Sequence, residues 1–248
     1  APDLSRICGI ALNGDPENNS IDVRDYQTFW LGVKTNLKGY NPTAPDAVLP
    51  ALADISAYLY NDHNTDPLIK AALVHYQFEM IHPFERYNGI VGRIIVPMVL
   101  RDTIGEAMPL ICLSEYLYHN KNEYFDLLRT TQYSGGYIRW IKFFVCAVGE
   151  AAKQSAKLLA QYENDILWAE QQIKENTLSS KSIWGVYNYL KRYPVSSISR
   201  ATEQTRFSFN SISKAMQSLK EAGIVQETAE VRNRIWVHKK LIENLWYF

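Results

Sequence analysis

The stretch LIKAALVHYQFEMIHPFERYNGIVGRIIVPMVLR, Leu68 to Arg101, decides how the chain is read. Ile69, Ala72, Leu73, Tyr76 and Met80 recur at helical spacing, which predicts a core helix from Pro67 to about Ile81. Pro67 suits a first helical turn, where a missing N–H costs nothing, and Asp66 before it can cap. Pro83 disfavours helix in the residue before it, so the helix ends there. A second apolar run, Ile90 to Leu100, has helical length and pattern. Between the two lies HPFERYNG, at the mouth of the second helix. Backbone N–H groups at such a mouth bind anions, phosphate above all. A single histidine beside a phosphate cradle points to proton abstraction next to a nucleotide.

The same residues resemble the signature of the Fic family, His-Pro-Phe-x-acid-Gly-Asn-Gly-Arg-x-x-Arg. His82, Pro83, Phe84, Asn88, Gly89, Gly92 and Arg93 match it. Arg86 stands where the acid belongs, Tyr87 where the first glycine belongs, and Ile90 where the first arginine belongs. The resemblance extends through HYQFEMIHPF (75–84), LSEYL (113–117), Tyr124 to Leu128 and WIKFF (140–144), over roughly residues 20 to 160.

The resemblance implies a mostly α fold, a Fic-type helical bundle with a small flap hairpin at about 36–48. It implies transfer of AMP from ATP to a Ser, Thr or Tyr hydroxyl of a target protein. By position, His82 is the base, and Pro83 and Phe84 anchor the active loop, residues 82–93. Asn88, Gly89 and Gly92 belong to the anion cradle, and Arg93 is the remaining phosphate arginine. Tyr40, Asn41, Pro42 and Thr43 fall in the flap that lines up an extended target segment. Arg24, Gln27 and Trp30 loosely fit an Arg-x-x-Gln-aromatic stretch of related proteins. ATP is the substrate; Mg²⁺ is in doubt, because Arg86 replaces the metal-ligating acid.

Residue chemistry sharpens those departures. A guanidinium cannot ligate a cation, but it grips phosphate in a fork, so Arg86 can supply the counter-charge itself. Tyr87 costs the loop freedom if its backbone needs φ > 0. Ile90 removes a charged phosphate contact, worth very roughly 1.5–3 kcal/mol. Three readings stay open: an AMP transferase of reduced or altered activity, a degenerate protein that binds nucleotide or target, and transfer of another phosphate-linked group. His75, Glu79 and His82 sit at i, i+4 and i+7, which reads as buried polar contacts beneath the loop rather than as a metal face.

The whole chain fits this. Its 248 residues make one or two domains, and 47% hydrophobic with 21% charged content is ordinary for a globular protein. Net charge is zero overall, yet residues 180–248 carry 11 Lys+Arg against 5 Asp+Glu, leaving an acidic front. Three separated cysteines (Cys8, Cys112, Cys146) without metal-ligand spacing suit a reducing compartment, and no apolar run reaches membrane-spanning length. A cytoplasmic, bacterial protein is expected, with room for a homodimer.

Residues 24–32 read as a strand or short helix, Pro50 to Tyr60 as a helix, 113–133 as one or two more, and Trp140 to about Lys174 as a long one. The expected domains are a Fic domain over 1–160, a linking helix over 161–178 and a winged helix-turn-helix domain over 179–248. In the last, helices end before Pro194 and span Ser196–Thr205 and Ser208–Ala222, and IVQETAE and RIWVHKK form two wing strands. That pattern suits DNA, with Ser208, Asn210, Ser211, Ser213 and Lys214 toward a groove and Arg232 and Arg234 on phosphates. It equally suits packing or contact with a protein partner.

Overall fold

The structure is a computed structural model that describes residues 22–29, 40–105, 111–175, 180–228 and 234–246. The chain divides into two compact units, one ending at Ser155 and the other beginning at Ala156.

The first unit is helical: α1 (Val48–Asn61), α2 (Pro67–Ile81), α3 (Asn88–Val99), the short α4 (Arg101–Ile104), α5 (Leu113–His119), α6 (Lys121–Ser134) and α7 (Tyr137–Glu175), which runs on into the second unit. Helix α2 starts as its sequence dictates, with the Asp66 carboxylate accepting from the Leu68 and Ile69 N–H groups and Pro67 in the first turn. It is apolar on nearly every side, as a helix packed between two layers must be. Ala71, Ala72, Tyr76 and Met80 enter a core with Leu128, Trp140 and Phe144. Val74, Phe78 and Ile81 enter another with Val48, Ile55, Phe84, Val91 and Ile95. Ile69, expected inside, is on the surface, while Leu68 before it packs against the core.

Other expectations change in detail. Helix α1 starts at Val48, and a 3₁₀ turn at Pro45–Ala47 leads into it, so the last third of the expected flap is helical. Pro45 presets the helical φ, which draws the chain into a turn. No hairpin occurs there among the described residues: Tyr40 makes a single bridge, and 36–39 lie outside them, as does Trp30. Residues 22–29 form neither strand nor helix. Helix α3 begins at Asn88, two residues before its apolar run.

The second unit contains the rest of α7, α8 (Lys181–Arg192), β1 (Val195–Ser197), α9 (Ile198–Gln204), α10 (Phe209–Glu221), β2 (Val225–Glu227), β3 (Ile235–His238) and α11 (Lys239–Trp246). Its sheet has three antiparallel strands in the order β1-β3-β2, not two. Ser196 and Ser197, expected to open a helix, instead pair together with Val195 against Ile235–Val237, since β3 offers them a free edge. The expected strand over 234–240 stops at His238, and Lys239 turns into α11. The core gathers Ala169 and Ile173 of α7 with Val186, Tyr187, Leu190, Ile212, Met216, Leu219 and Trp236. Among the described residues, no helix is long and apolar enough to cross a membrane.

Candidate active site

Two non-glycine residues have positive φ among the described residues, and both lie in the 82–93 loop. His82 ends α2 at φ 49, ψ 61, and Tyr87 opens α3 at φ 69, ψ 11. The left-handed region costs an ordinary residue about 1–2 kcal/mol, so the surroundings must hold this corner in place. Phe84 is one such hold: it is 1% exposed and packs on Phe78 beneath the loop. Asn88 is another. Its Oδ1 accepts from the Phe84 N–H at 2.9 Å, and its Nδ2 donates to the Phe84 carbonyl at 2.8 Å. The side chain predicted for an anion cradle is thus spent on closing the loop, and any cradle there is made of backbone.

Arg24 is the third hold, and sequence reasoning noticed the residue without seeing this role. It is 4% exposed. Its guanidinium donates to the carbonyls of His82 (2.8 Å), Tyr26 (2.8 Å), Ile81 (3.0 Å) and Thr43. Its own N–H donates to the Pro83 carbonyl at 2.9 Å. One buried cation therefore fixes the backbone on both sides of His82.

His82 is half-buried. Its Nδ1 lies 3.2 Å from the Tyr40 hydroxyl. Burial and then the nearby Arg24 charge push its pKa down to about 4, while the Glu79 main-chain carbonyl works the other way. At neutral pH the imidazole is uncharged and can accept a proton.

Beneath the loop lie the buried polar contacts that the i, i+4 spacing suggested. His75 donates from Nδ1 to the Gly92 carbonyl at 2.9 Å, and its Nε2 accepts from the Tyr124 hydroxyl at 3.0 Å. Glu79 is 5% exposed, and its Oε1 has no hydrogen-bond partner among the described residues. Burial pushes its pKa up to about 7, against the pull of Arg93. Gly92 makes this arrangement possible, because a Cβ there would sit 2.5 Å from Glu79 Oε1. Gly89 lies under the Arg93 guanidinium, where a Cβ would sit 3.1 Å from Nη1. Arg93 Nε donates to Ser114 Oγ at 2.9 Å, a partner on α5 that no local signal revealed.

Arg86 points into solvent, its side chain 74% exposed and its Nε 3.9 Å from Glu85 Oε1. A guanidinium at the place of the implied metal-ligating acid does not fit Mg²⁺, since it carries five N–H donors and no acceptor. Among the described residues, no cluster of three His, Cys, Asp or Glu is placed to hold a metal ion.

The four expected flap residues are brought to this corner, but mostly inward. Tyr40 and Pro42 are buried. Thr43 N–H donates to the Met80 carbonyl at 3.0 Å. Asn41 is exposed, yet Gln132 engages its backbone twice: Oε1 accepts from the Asn41 N–H at 3.3 Å, and Nε2 donates to the Asn41 carbonyl at 2.8 Å. Gln27 Nε2 donates to Asn41 Oδ1 and the Pro42 carbonyl. In the second unit, Asn210 and Lys214 are exposed on α10. Arg234 pairs with Glu227 at 2.9 Å, and Arg232 lies outside the described residues.

Residues 10–100 match the family model described as the Fic/DOC family. A 64-residue stretch, 25% of this chain, is 38% identical to Protein adenylyltransferase fic-1 of Caenorhabditis briggsae, covering 12% of that protein. The same length is 34% identical to the Caenorhabditis elegans protein of that name, again covering 12% of it. Over 119 residues, 43% of this chain, identity is 28% to the Probable protein adenylyltransferase aq_aa38 of Aquifex aeolicus, covering 34% of it. The chain thus spans about an eighth to a third of the curated relatives it matches. In fold it is similar to a Fic family protein from Desulfovibrio desulfuricans G20, with a TM-score of 0.53 and 14% identity over 96% of this chain and 68% of that one.

Proposed function

We propose that the chain transfers AMP from ATP to a hydroxyl of a target protein, with His82 as the base. One observation carries this reading: a neutral, half-buried imidazole is held in a strained corner six residues before a helix mouth, with Arg93 one turn inside that helix. The target oxygen attacks the α-phosphorus, the bond from that phosphorus to the bridging oxygen breaks, and pyrophosphate leaves. The hydroxyl proton passes to His82. The Asn88 and Gly89 N–H groups, which open α3, and the Arg93 guanidinium face the phosphates, while the Ile90 and Val91 N–H groups bond the Tyr87 carbonyl. Arg86 swings from solvent to add the counter-charge that the missing acid would otherwise recruit as metal. A positioned base contributes about 10²–10⁴-fold in rate.

The test is transfer of label from α-phosphate-labelled ATP to protein, for wild type and His82→Ala, with Mg²⁺ and with chelator. Labelling that needs His82 and survives chelation is the expected result. Labelling that needs both His82 and Mg²⁺ keeps the transfer but overturns the role of Arg86. No labelling beside measurable ATP binding favours the degenerate, nucleotide-binding reading, for which Ile90 in place of a phosphate arginine already speaks.

A second reading concerns residues 180–246, where α8, α9 and α10 with the three-stranded sheet fit a winged helix, and α11 follows as a fourth helix. Asn210 and Lys214, exposed on α10, are the residues we propose for DNA contact; Arg234 would have to leave Glu227 to join them. Binding of a labelled duplex at several salt concentrations checks it. Lys214→Ala removes a groove-facing charge and should weaken binding and flatten the salt dependence by up to one ionic contact, and an unchanged slope rejects the contact.

A further inference from the structure

His82 can take a proton only if one ring nitrogen is bare and faces the substrate. Which nitrogen is bare depends on what the other one bonds. In this structure Nδ1 has a partner 3.2 Å away, the Tyr40 hydroxyl, and the two rings meet edge-on with centroids 6.3 Å apart. Tyr40 is 3% exposed and packs in the core with Tyr76, Met80 and Leu128. A side chain so enclosed cannot read a target protein, which is the role its place in the flap suggested. With Nδ1 engaged by Tyr40, Nε2 is the nitrogen left for a substrate, and it can take a proton only if the hydrogen of the neutral ring sits on Nδ1.

Building on the transfer reading above, we propose that Tyr40 is a positioning residue for His82. Its oxygen accepts from Nδ1–H, which holds the ring in the Nδ1–H form and leaves the Nε2 lone pair for the incoming hydroxyl. When that hydroxyl attacks, its proton goes to Nε2, and the imidazolium keeps Nδ1–H on the Tyr40 oxygen. The phenol does not take this proton or lose its own. Burial first, then the Glu79 carboxylate and Tyr76, hold its pKa well above the ordinary tyrosine value. Among the described residues, Arg24 acts on the imidazole through its charge, and Tyr40 presents a side-chain oxygen to Nδ1.

The experiment uses the full chain labelled with ¹⁵N in its histidine rings, wild type and Tyr40→Phe, with His82→Ala to assign the signal. At neutral pH the wild-type His82 should show a protonated Nδ1 and a bare Nε2. Tyr40→Phe keeps the ring and its packing, and should move the signal toward the Nε2–H form. In labelled-ATP transfer the same variant should lower kcat roughly 10–100-fold, by analogy with partners that orient metal-bound imidazoles, and leave the KM for ATP unchanged. A wild-type His82 already protonated at Nε2, or a Tyr40→Phe spectrum identical to wild type, overturns the proposal. If the signal shifts as expected but wild type transfers no label, the transfer reading fails and the positioning role stands.

Discussion

In residues 180–211, each of three helices opens on a serine that caps it. Ser180 Oγ accepts from the Ile183 N–H, Ser197 from Arg200 and Ser208 from Ser211. At the 82–93 corner, α3 opens on Tyr87, with positive φ and no side-chain cap. The first region is locally self-consistent, so each segment prefers the structure it adopts. The second breaks local rules twice within six residues and is held, besides its own Phe84 and Asn88, by Arg24 far away in sequence. Such conflicts gather where a site needs a fixed geometry that the chain would not choose unaided. If this contrast is real, removing a distant hold should cost the corner much more than removing a local cap costs the C-terminal unit.

Arg24→Ala should have the largest effect. It strips four carbonyls of a charged donor at a mostly part-buried site. Hydrogen bonds to charged groups contribute about 1.5–3 kcal/mol each, and water recovers only part of that, so a loss of about 3–5 kcal/mol in urea unfolding is expected. Nucleotide binding should weaken with it. A loss below about 1 kcal/mol would mean that the corner holds itself, and the contrast would collapse.

Glu79→Gln probes the same corner through pH. The folded-state pKa of Glu79 is about 7, above its ordinary 4.5. Between those values the folded protein holds a proton that the unfolded chain has released. Its contribution is therefore full below pH 4.5 and is lost as pH rises through 7, a swing on the order of 3 kcal/mol. His75 and His82 act in the opposite sense. Both are pushed down to about 4 from 6.5, so their contribution is full above pH 6.5 and is lost as pH falls toward 4. In wild type the opposing slopes partly cancel between pH 4.5 and 6.5. In Glu79→Gln the stability should climb through that window and then level off. A variant curve parallel to wild type would show that Glu79 is ionised throughout.

How legible these features were follows the same division. Helix α2 could be placed to the residue because Asp66, Pro67 and Pro83 all act within a turn of its ends. His82, Phe84, Gly89 and Arg93 could be picked out because they stand in one short run. The distant hold on that run could not: Arg24 reaches carbonyls 57 and 58 residues away, with nothing periodic to betray the pairing. The bond from Gln132 to the Asn41 backbone, 91 residues away, was hidden for the same reason. Glu79 was visible as a polar residue on an apolar helix, but its unpaired oxygen depends on how closely Gly92 lets α3 approach. Strand β1 failed for a related reason: Val195–Ser197 is extended because β3 pairs with it, and its own residues would serve a helix start as well.

The smallest effect tests the other half of the contrast. Ser208 caps α10 through one bond of 3.3 Å to the Ser211 N–H, at an exposed position. Caps contribute about 0.5–2 kcal/mol, and a long, solvent-facing bond belongs at the low end. Ser208→Ala should therefore cost about 0.5–1 kcal/mol in the unfolding of the C-terminal unit. ATP binding at the 82–93 loop should not change, since the holds named for that loop, Phe84, Asn88 and Arg24, all belong to the first unit. The variant's neighbours limit the damage: Ile212, Ala215, Met216 and Leu219 stay packed in the core, and these carry α10 whether or not its first turn is capped. A cost rivalling that of Arg24→Ala would show that the serine caps do more than satisfy local donors. In that case the two regions would differ in where their holds lie along the chain, and not in how strongly they need them.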